Sequence, residues 1–440
     1  MLRAICRASI LVLTLLSLGT QAKSTDSTAD ASGLSPQRLA RIDHWVQEEI
    51  AAKHKSGVIV LISRHGKIAY QSVHGMADIA AEKPLRLDAL FRLYSMTKPI
   101  TSVALLTLYE QGKFLLTDPL ENYIPAFKDV KVYAGQDADG KMRLEAPKRK
   151  ITIQDVFRHT AGFTYGFFGD TPVDRAYRAA GIDYAKMDSL KQMVDAIAAM
   201  PLLYQPGEQW VYSFAHDVQA YLVEFFSGMP FDAYCRRTIF DPLHMNDTVF
   251  GVPPALAARF AANYGAAANG AGLTVTSGLI GAPASTEDSY ARYATHPFGG
   301  SSLSSTAADY LAFSQMLLNG GSLHGVQILS PKTVELMTSN NLPRAVTTWS
   351  EGGGYGLGVE VVTNPALNGG MGTTGRFGWG GYATTSFLID PKEDMIAIML
   401  TQYTPQDSHF VETFKTLVYQ AIVDQRSSGS SPTSAASARR

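Results

Sequence analysis

In the stretch "YSMTKPI", Ser95 and Lys98 are three residues apart. On a helix they share a face, one turn apart, with side chains in reach of each other. A proline is tolerated in a helix's first turn, where the N–H it lacks has no intrahelical partner. Pro99 therefore predicts a helix that begins at Ser95. Free backbone N–H groups and the positive end of the helix dipole would then surround the serine hydroxyl, which suits an oxygen that must become an anion. The flanking runs "ALFRLYSM" and "ITSVALLTL" are apolar. A lysine drawn into such surroundings loses preference for its charged form and can accept or relay the serine's proton. The chain has no other Ser-x-x-Lys. The plain alternative is a capped helix with a solvated lysine.

Two further stretches hold residues of the right kind. In "QPGEQWVYSFAHDV" a proline–glycine turn and a following helix start put Tyr212 at a loop end; the alternative is a core tyrosine with its hydroxyl bonded. In "FGWGGYATTSFLIDP", Gly378, Gly380 and Gly381 weaken a strand's entry, as where another group must approach the backbone closely; the alternative is a bulge. A Ser-His-Asp mechanism is disfavoured, because no Gly-x-Ser-x-Gly elbow occurs. His159 and His216 lack a nucleophile context, and His216-Asp217 reads as serving the fold. No His/Cys/Asp cluster has metal-ligand spacing and no phosphate-cradling glycine loop occurs, so no metal or cofactor is implied.

The elements that must hold these residues follow from the wider pattern. The chain has 440 residues, 46% hydrophobic and 18% charged, enough for a large core in one domain or two interleaved ones. A formal net charge of −1, without a basic block, argues against nucleic acid as a partner. The start has Arg3 and Arg7, an apolar run Ala8–Leu18, and small residues Thr20 and Ala22 before Lys23. It reads as a cleavable signal peptide over residues 1–22, hence a periplasmic or secreted protein, with no other stretch able to span a membrane. Cys6 leaves with it, and Cys235 alone cannot form an internal disulfide.

After a polar linker at 23–33, Ser35 and Pro36 open a helix with an apolar stripe of Leu39, Ile42, Val46 and Ile50. A hairpin turns at His65-Gly66, and the helix from Ser95 stops at Gly112. Residues 113–290 show short helical patterns (Ile153–His159, Ser189–Met200, His216–Phe226) without a convincing series of strands; Asn263–Ala284 reads as an irregular loop. Thr306 and Ser330 start helices. Strands return in "YGLGVEVVT", "ATTSFLID" and "DMIAIMLTQ", before a last helix from about His409 to Asp424 and a low-complexity tail at 426–440. Strands thus cluster at both chain ends. The expected fold is α+β: an antiparallel sheet (34–90 and 291–425) flanked by terminal helices, with an inserted helical domain (91–290).

In order and approximate spacing, Ser95-x-x-Lys98, Tyr212-Ser213 and Trp379-Gly380-Gly381 resemble the penicillin-recognising serine hydrolases. Within them the chain is similar to the class C β-lactamase-like branch that includes the family VIII carboxylesterases. "FRHTAGFTY", "FDPLHMNDTVF" and "LIDPKEDM" carry the likeness further, from about Leu34 to Asp424. The resemblance implies Ser95 as acylated nucleophile, Lys98 and Tyr212 sharing proton transfer, and the backbone N–H groups of Ser95 and Tyr382 as oxyanion hole. Where lactamases carry an asparagine and a lysine, this chain has Phe214 and Trp379. With Gly380 and Gly381 these form the expected substrate-binding set. Losing an amide and a cation while gaining two aromatic rings points to neutral, apolar short-chain acyl esters rather than β-lactams. The alternatives are a D-amino-acid peptidase or amidase, a weak β-lactamase, an acyltransferase, and a non-enzymatic penicillin-binding-like envelope binder.

Overall fold

A computed structural model describes residues 32–268, 270, 272–276 and 289–424. The expected signal peptide, all but the last two residues of the linker, and the 426–440 tail lie outside the described residues. The fold is mixed α+β around one large antiparallel sheet.

Helix α1 (Pro36–Ala51) begins as the sequence predicts, with the Ser35 side chain accepting from the Arg38 N–H and Leu39, Ile42 and Val46 buried. Strands β1 (Gly57–Arg64) and β2 (Lys67–Asp78) form the expected hairpin. Its two turn residues, His65 and Gly66, both take left-handed φ values of 54° and 70°, the mirror-image turn whose twist matches that of paired strands. Strands β3 (Lys83–Pro84), β4 (Gly353–Tyr355), β5 (Glu360–Val362), β6 (Phe377–Gly380), β7 (Ser386–Asp390) and β8 (Met395–Leu400) complete a sheet of order β4-β5-β6-β7-β8-β1-β2-β3. The last strand thus pairs with the first, Ile59 opposite Leu400.

Every residue of β1 is buried, because both faces of the sheet are covered. Val58, Val60 and Ile62 pack with Leu388, Ala397 and Met399 under α1 and the C-terminal helix Ser408–Tyr419. Their alternates, Ile59, Leu61, Phe387 and Ile398, join the larger core shared with the helical segment. That segment contains α2 (Thr97–Glu110), α3 (Ile153–Phe157), α4 (Leu190–Ala198) and α5 (Ala215–Ser227), with α2 and α5 packed together. Among the described residues no helix is long and apolar enough to cross a membrane.

Three expectations need correction. "YGLGVEVVT" is a tight hairpin, β4 and β5, rather than one strand; Gly358 adopts φ 96° between them, and a Cβ there would run into Ser102. Within 113–290 there are strands after all: Val132–Gln136 pairs with Met142–Glu145, and Val249–Phe250 joins a three-stranded sheet. The expected loop at 263–284 contains a hairpin of Tyr264–Ala266 with Leu273–Val275, tied down by the Tyr264 N–H on the Gln402 carbonyl; residues 277–284 lie outside the described residues.

Candidate active site

Ser95 lies where a short strand meets a helix. Phe91–Arg92 pairs with Ser304–Ser305, and the Leu93 N–H donates to the Leu303 carbonyl at 2.9 Å. Tyr94 then takes a left-handed φ of 46°, strained for a bulky residue, with its ring 5.3 Å from Tyr290 and 5.7 Å from Tyr382. A single 3₁₀ turn, Tyr94–Met96, runs into α2, which puts Pro99 in the helix's first turn. Both neighbours of Ser95 are buried while Ser95 itself is half-buried. The turn lifts one hydroxyl out of an apolar bed.

Lys98 is wholly buried. Its Nζ stands 3.1 Å from Ser95 Oγ and donates to the Gly300 carbonyl at 2.7 Å. The rings of Tyr165 and Tyr212 lie 5.4 and 4.7 Å from the same nitrogen. Burial draws the ammonium's pKa down to about 7, a shift opposed by the carboxylate of Asp217. Asp217, also fully buried, is pushed upward by the same desolvation, opposed in turn by Lys98.

Tyr212 sits in the irregular segment ahead of α5, and its hydroxyl donates to Ser95 Oγ at 2.7 Å. Burial pushes that hydroxyl well above the ordinary tyrosine value, against the hydrogen bond to Ser95. Tyr212 is therefore a proton donor at neutral pH, whereas burial favours the neutral amine of Lys98. Serine, lysine and tyrosine come together as the sequence motifs anticipate.

A cavity of about 700 Å³ opens over Ser95. Tyr165, Phe168, Trp349, Trp379 and Tyr382 line it, and its charged wall residues Glu360, Arg376, Glu412 and Lys415 come from β5, the entry to β6 and the C-terminal helix. Trp379 stacks on Trp349 with centroids 5.6 Å apart and lies 5.6 Å from the Tyr212 ring. Gly380 and Gly381 also face the cavity. A Cβ on Gly381 would strike the Leu93 carbonyl, so this turn abuts the nucleophile's strand only without a side chain. The Gly381 N–H is taken by the Thr385 carbonyl at 2.8 Å, while the Tyr382 N–H donates to no acceptor among the described residues.

Phe214 departs from expectation. It is fully buried and forms no part of the cavity wall, packing instead on Tyr165 at 4.4 Å and Tyr184 at 5.3 Å. As the N-cap of α5 it points into the core rather than towards substrate. His159 ends the α3 region in a left-handed φ of 57°, not within a helix; its Nδ1 meets Ser213 Oγ at 3.1 Å. His216 packs 4.8 Å from it in the interior, and burial with the nearby Lys98 charge holds both well below the ordinary histidine value. Among the described residues no three His, Cys, Asp or Glu side chains converge as metal donors. Sequence reasoning missed Trp349, whose setting "TTWSEGGG" reads as a polar loop, and Asp217's proximity to the lysine. The signal for the latter was a carboxylate in the first turn of the helix that follows Tyr212.

Residues 42–420 match the sequence profile of the family described as Beta-lactamase. Protein Rv1367c of Mycobacterium tuberculosis (strain ATCC 25618 / H37Rv) is 33% identical over 371 residues, spanning 82% of this chain and 89% of that protein. Esterase EstB of Burkholderia gladioli is 29% identical over 394 residues, spanning 86% and 94%. Among solved structures, "EstCE1, a hydrolase with promiscuous acyltransferase activity" superposes with a TM-score of 0.72 at 27% identity, covering 87% of this chain and 99% of its own.

Proposed function

The chain belongs to the beta-lactamase family and is a serine hydrolase of that fold, and from this premise we propose that it cleaves short-chain, neutral carboxylic esters through a Ser95 acyl-enzyme. The observation that carries the reading is Ser95 Oγ held between Lys98 Nζ at 3.1 Å and the Tyr212 hydroxyl at 2.7 Å, under a wall of aromatic rings.

Neutral Lys98 takes the proton as Ser95 Oγ bonds to the ester carbonyl carbon. The carbonyl oxygen becomes an oxyanion, met by the N–H groups of Ser95 and Tyr382. On collapse the C–O bond to the alcohol breaks and Tyr212 protonates the leaving oxygen; the proton on Lys98 then restores Tyr212. Water resolves the acyl-enzyme by the same groups in reverse. A substrate carboxylate against Trp379 would find only an indole N–H and lose its hydration, at a cost a neutral ester does not carry. The esterase relative supports this substrate class. We also propose export with cleavage before Lys23, which N-terminal sequencing of secreted material checks.

Labelling by a fluorophosphonate ester, then a series of p-nitrophenyl esters run beside a chromogenic cephalosporin, tests the reading. Ser95→Ala should fold normally, resist labelling and lose activity by several orders of magnitude. Faster turnover of the cephalosporin than of p-nitrophenyl acetate would sink the ester assignment. A second reading, acyl transfer to an alcohol, is favoured by the cavity's extension from Ser95 to the C-terminal helix, which leaves room for an acceptor. Product analysis with added alcohol separates the two.

A further inference from the structure

Asp217 lies outside the cavity wall, yet two contacts in series lead from it, through Gly300, to Lys98. Its Oδ1 accepts from the Gly300 N–H at 2.9 Å, and its Oδ2 accepts from the Tyr184 hydroxyl at 3.0 Å. The Gly300 carbonyl in turn accepts from Lys98 Nζ at 2.7 Å. The carboxylate thus pins the residue on which the lysine rests. The junction has no spare room: a Cβ on Gly300 would sit 2.7 Å from Asp217 Oδ2 and run into the Tyr184 hydroxyl. Thr101 Oγ1 donates to the Gly299 carbonyl at 2.8 Å, and the Leu303 N–H donates to Thr97 Oγ1 at 3.1 Å, so the whole segment is fastened to α2.

We propose that Asp217 is a positioning residue for this reaction: it fixes the Gly300 carbonyl that orients Lys98, and its charge stabilises the ammonium formed when Lys98 takes the Ser95 proton. Two fully buried ionisable groups of opposite sign, close enough to act on each other's titration, are costly to desolvate unless that attraction is used. The other groups facing Lys98 supply no negative charge at neutral pH. Tyr165 and Tyr212 offer rings, burial keeps His159 and His216 neutral, and Tyr184 and Tyr293 near Asp217 are held protonated by burial. The inference rests on the Ser95–Lys98 reading of the site.

Asp217→Asn separates charge from shape. The amide oxygen can still accept from Gly300, and the amide nitrogen can donate to Tyr184, whose own proton turns to the Tyr165 hydroxyl 3.3 Å away. In ¹⁵N-lysine-labelled protein, Lys98 Nζ should then titrate at lower pH than in the wild type. The acid limb of kcat/KM should move down with it, and kcat should fall about tenfold to a hundredfold at unchanged KM. Tyr184→Phe, which removes one donor from the carboxylate and disfavours its ionised form, should shift both readouts the same way by less, and it decides the matter if the asparagine variant does not fold. An unmoved lysine titration, or lost activity that tracks raised KM and lost thermal stability with an unmoved limb, would overturn the proposal. The lysine titration needs no turnover, so a wild type inactive on esters would refute the ester assignment alone.

Discussion

Lowering the pH should switch the enzyme off in a form the structure specifies. Only neutral Lys98 has a lone pair for the Ser95 proton, and burial brings its pKa down to about 7. The sign follows: the ammonium, disfavoured by burial, accumulates as pH falls through that value. One unit below the midpoint about one lysine in eleven is neutral, and two units below about one in a hundred. With p-nitrophenyl acetate, kcat/KM should be level above about pH 8 and fall about tenfold per unit below about pH 6. Because Lys98 and Asp217 act on each other, the midpoint belongs to the pair. Tyr212 sets the alkaline side. Its hydroxyl, pushed well above the ordinary value by burial, should stay protonated, so no second limb should appear below about pH 10. Lys98→Arg, whose guanidinium keeps its proton, should erase the acid limb and lower kcat/KM by roughly 10²–10⁴ at every pH. Stopped-flow rates in constant-ionic-strength buffers read all of this. A profile flat from about pH 8 to 5, or one rising through about pH 9 as a tyrosinate base would make it, refutes neutral Lys98 as the base.

Two substitutions test the placement of the aromatic rings. Phe214→Ala should cost about 3–5 kcal/mol in urea unfolding, as for a buried phenylalanine, and leave KM for small esters within about twofold; a changed ester preference without lost stability would put that ring back in the substrate site. Trp379→Lys should raise KM for apolar esters about tenfold, since it breaks a stack of about 0.5–1.5 kcal/mol with Trp349 as well as exposing a cation, and should raise turnover of a chromogenic cephalosporin. Equal KM values for butyrate esters in variant and wild type would remove Trp379 from substrate binding.

Much of this architecture was legible because it rests on local rules. The Ser35-Pro36 start, the His65-Gly66 turn and the Thr306 cap each satisfy backbone groups within a few residues, so they can be read in a short window. The meeting of Ser95 with Lys98 is similarly one helical turn. Tyr212 reaches Ser95 across 117 residues of chain; the turn before it placed it at a loop end, and its resemblance to a known motif decided against a core tyrosine. Phe214 shows the limit. Position in a motif fixes where a Cα goes, but an aromatic ring turns towards whatever buries it, here Tyr165 and Tyr184. Asp217 was harder to place for the opposite reason: its position in the first turn of α5 is readable, but it meets Lys98 through the Gly300 carbonyl, which no side-chain pattern reveals.

The pairing of β1 with β8 has a consequence for how the protein is made. Thr401 Oγ1 donates to the Gly57 carbonyl across 344 residues of chain, so the middle of the sheet closes only when nearly the whole polypeptide is available. Such distant contacts are entropically slow to form, and β1, apolar on both faces, must wait for its partner as an unpaired edge. The serine's strand leans on Leu303, and Gly381 packs against Leu93, so the nucleophile gains its surroundings late in synthesis as well. A growing chain therefore carries its reactive serine for most of its emergence without the groups that arm it. Truncation between Tyr212 and β8 would leave Ser95, Lys98 and Tyr212 all encoded without the strand that closes the sheet around them.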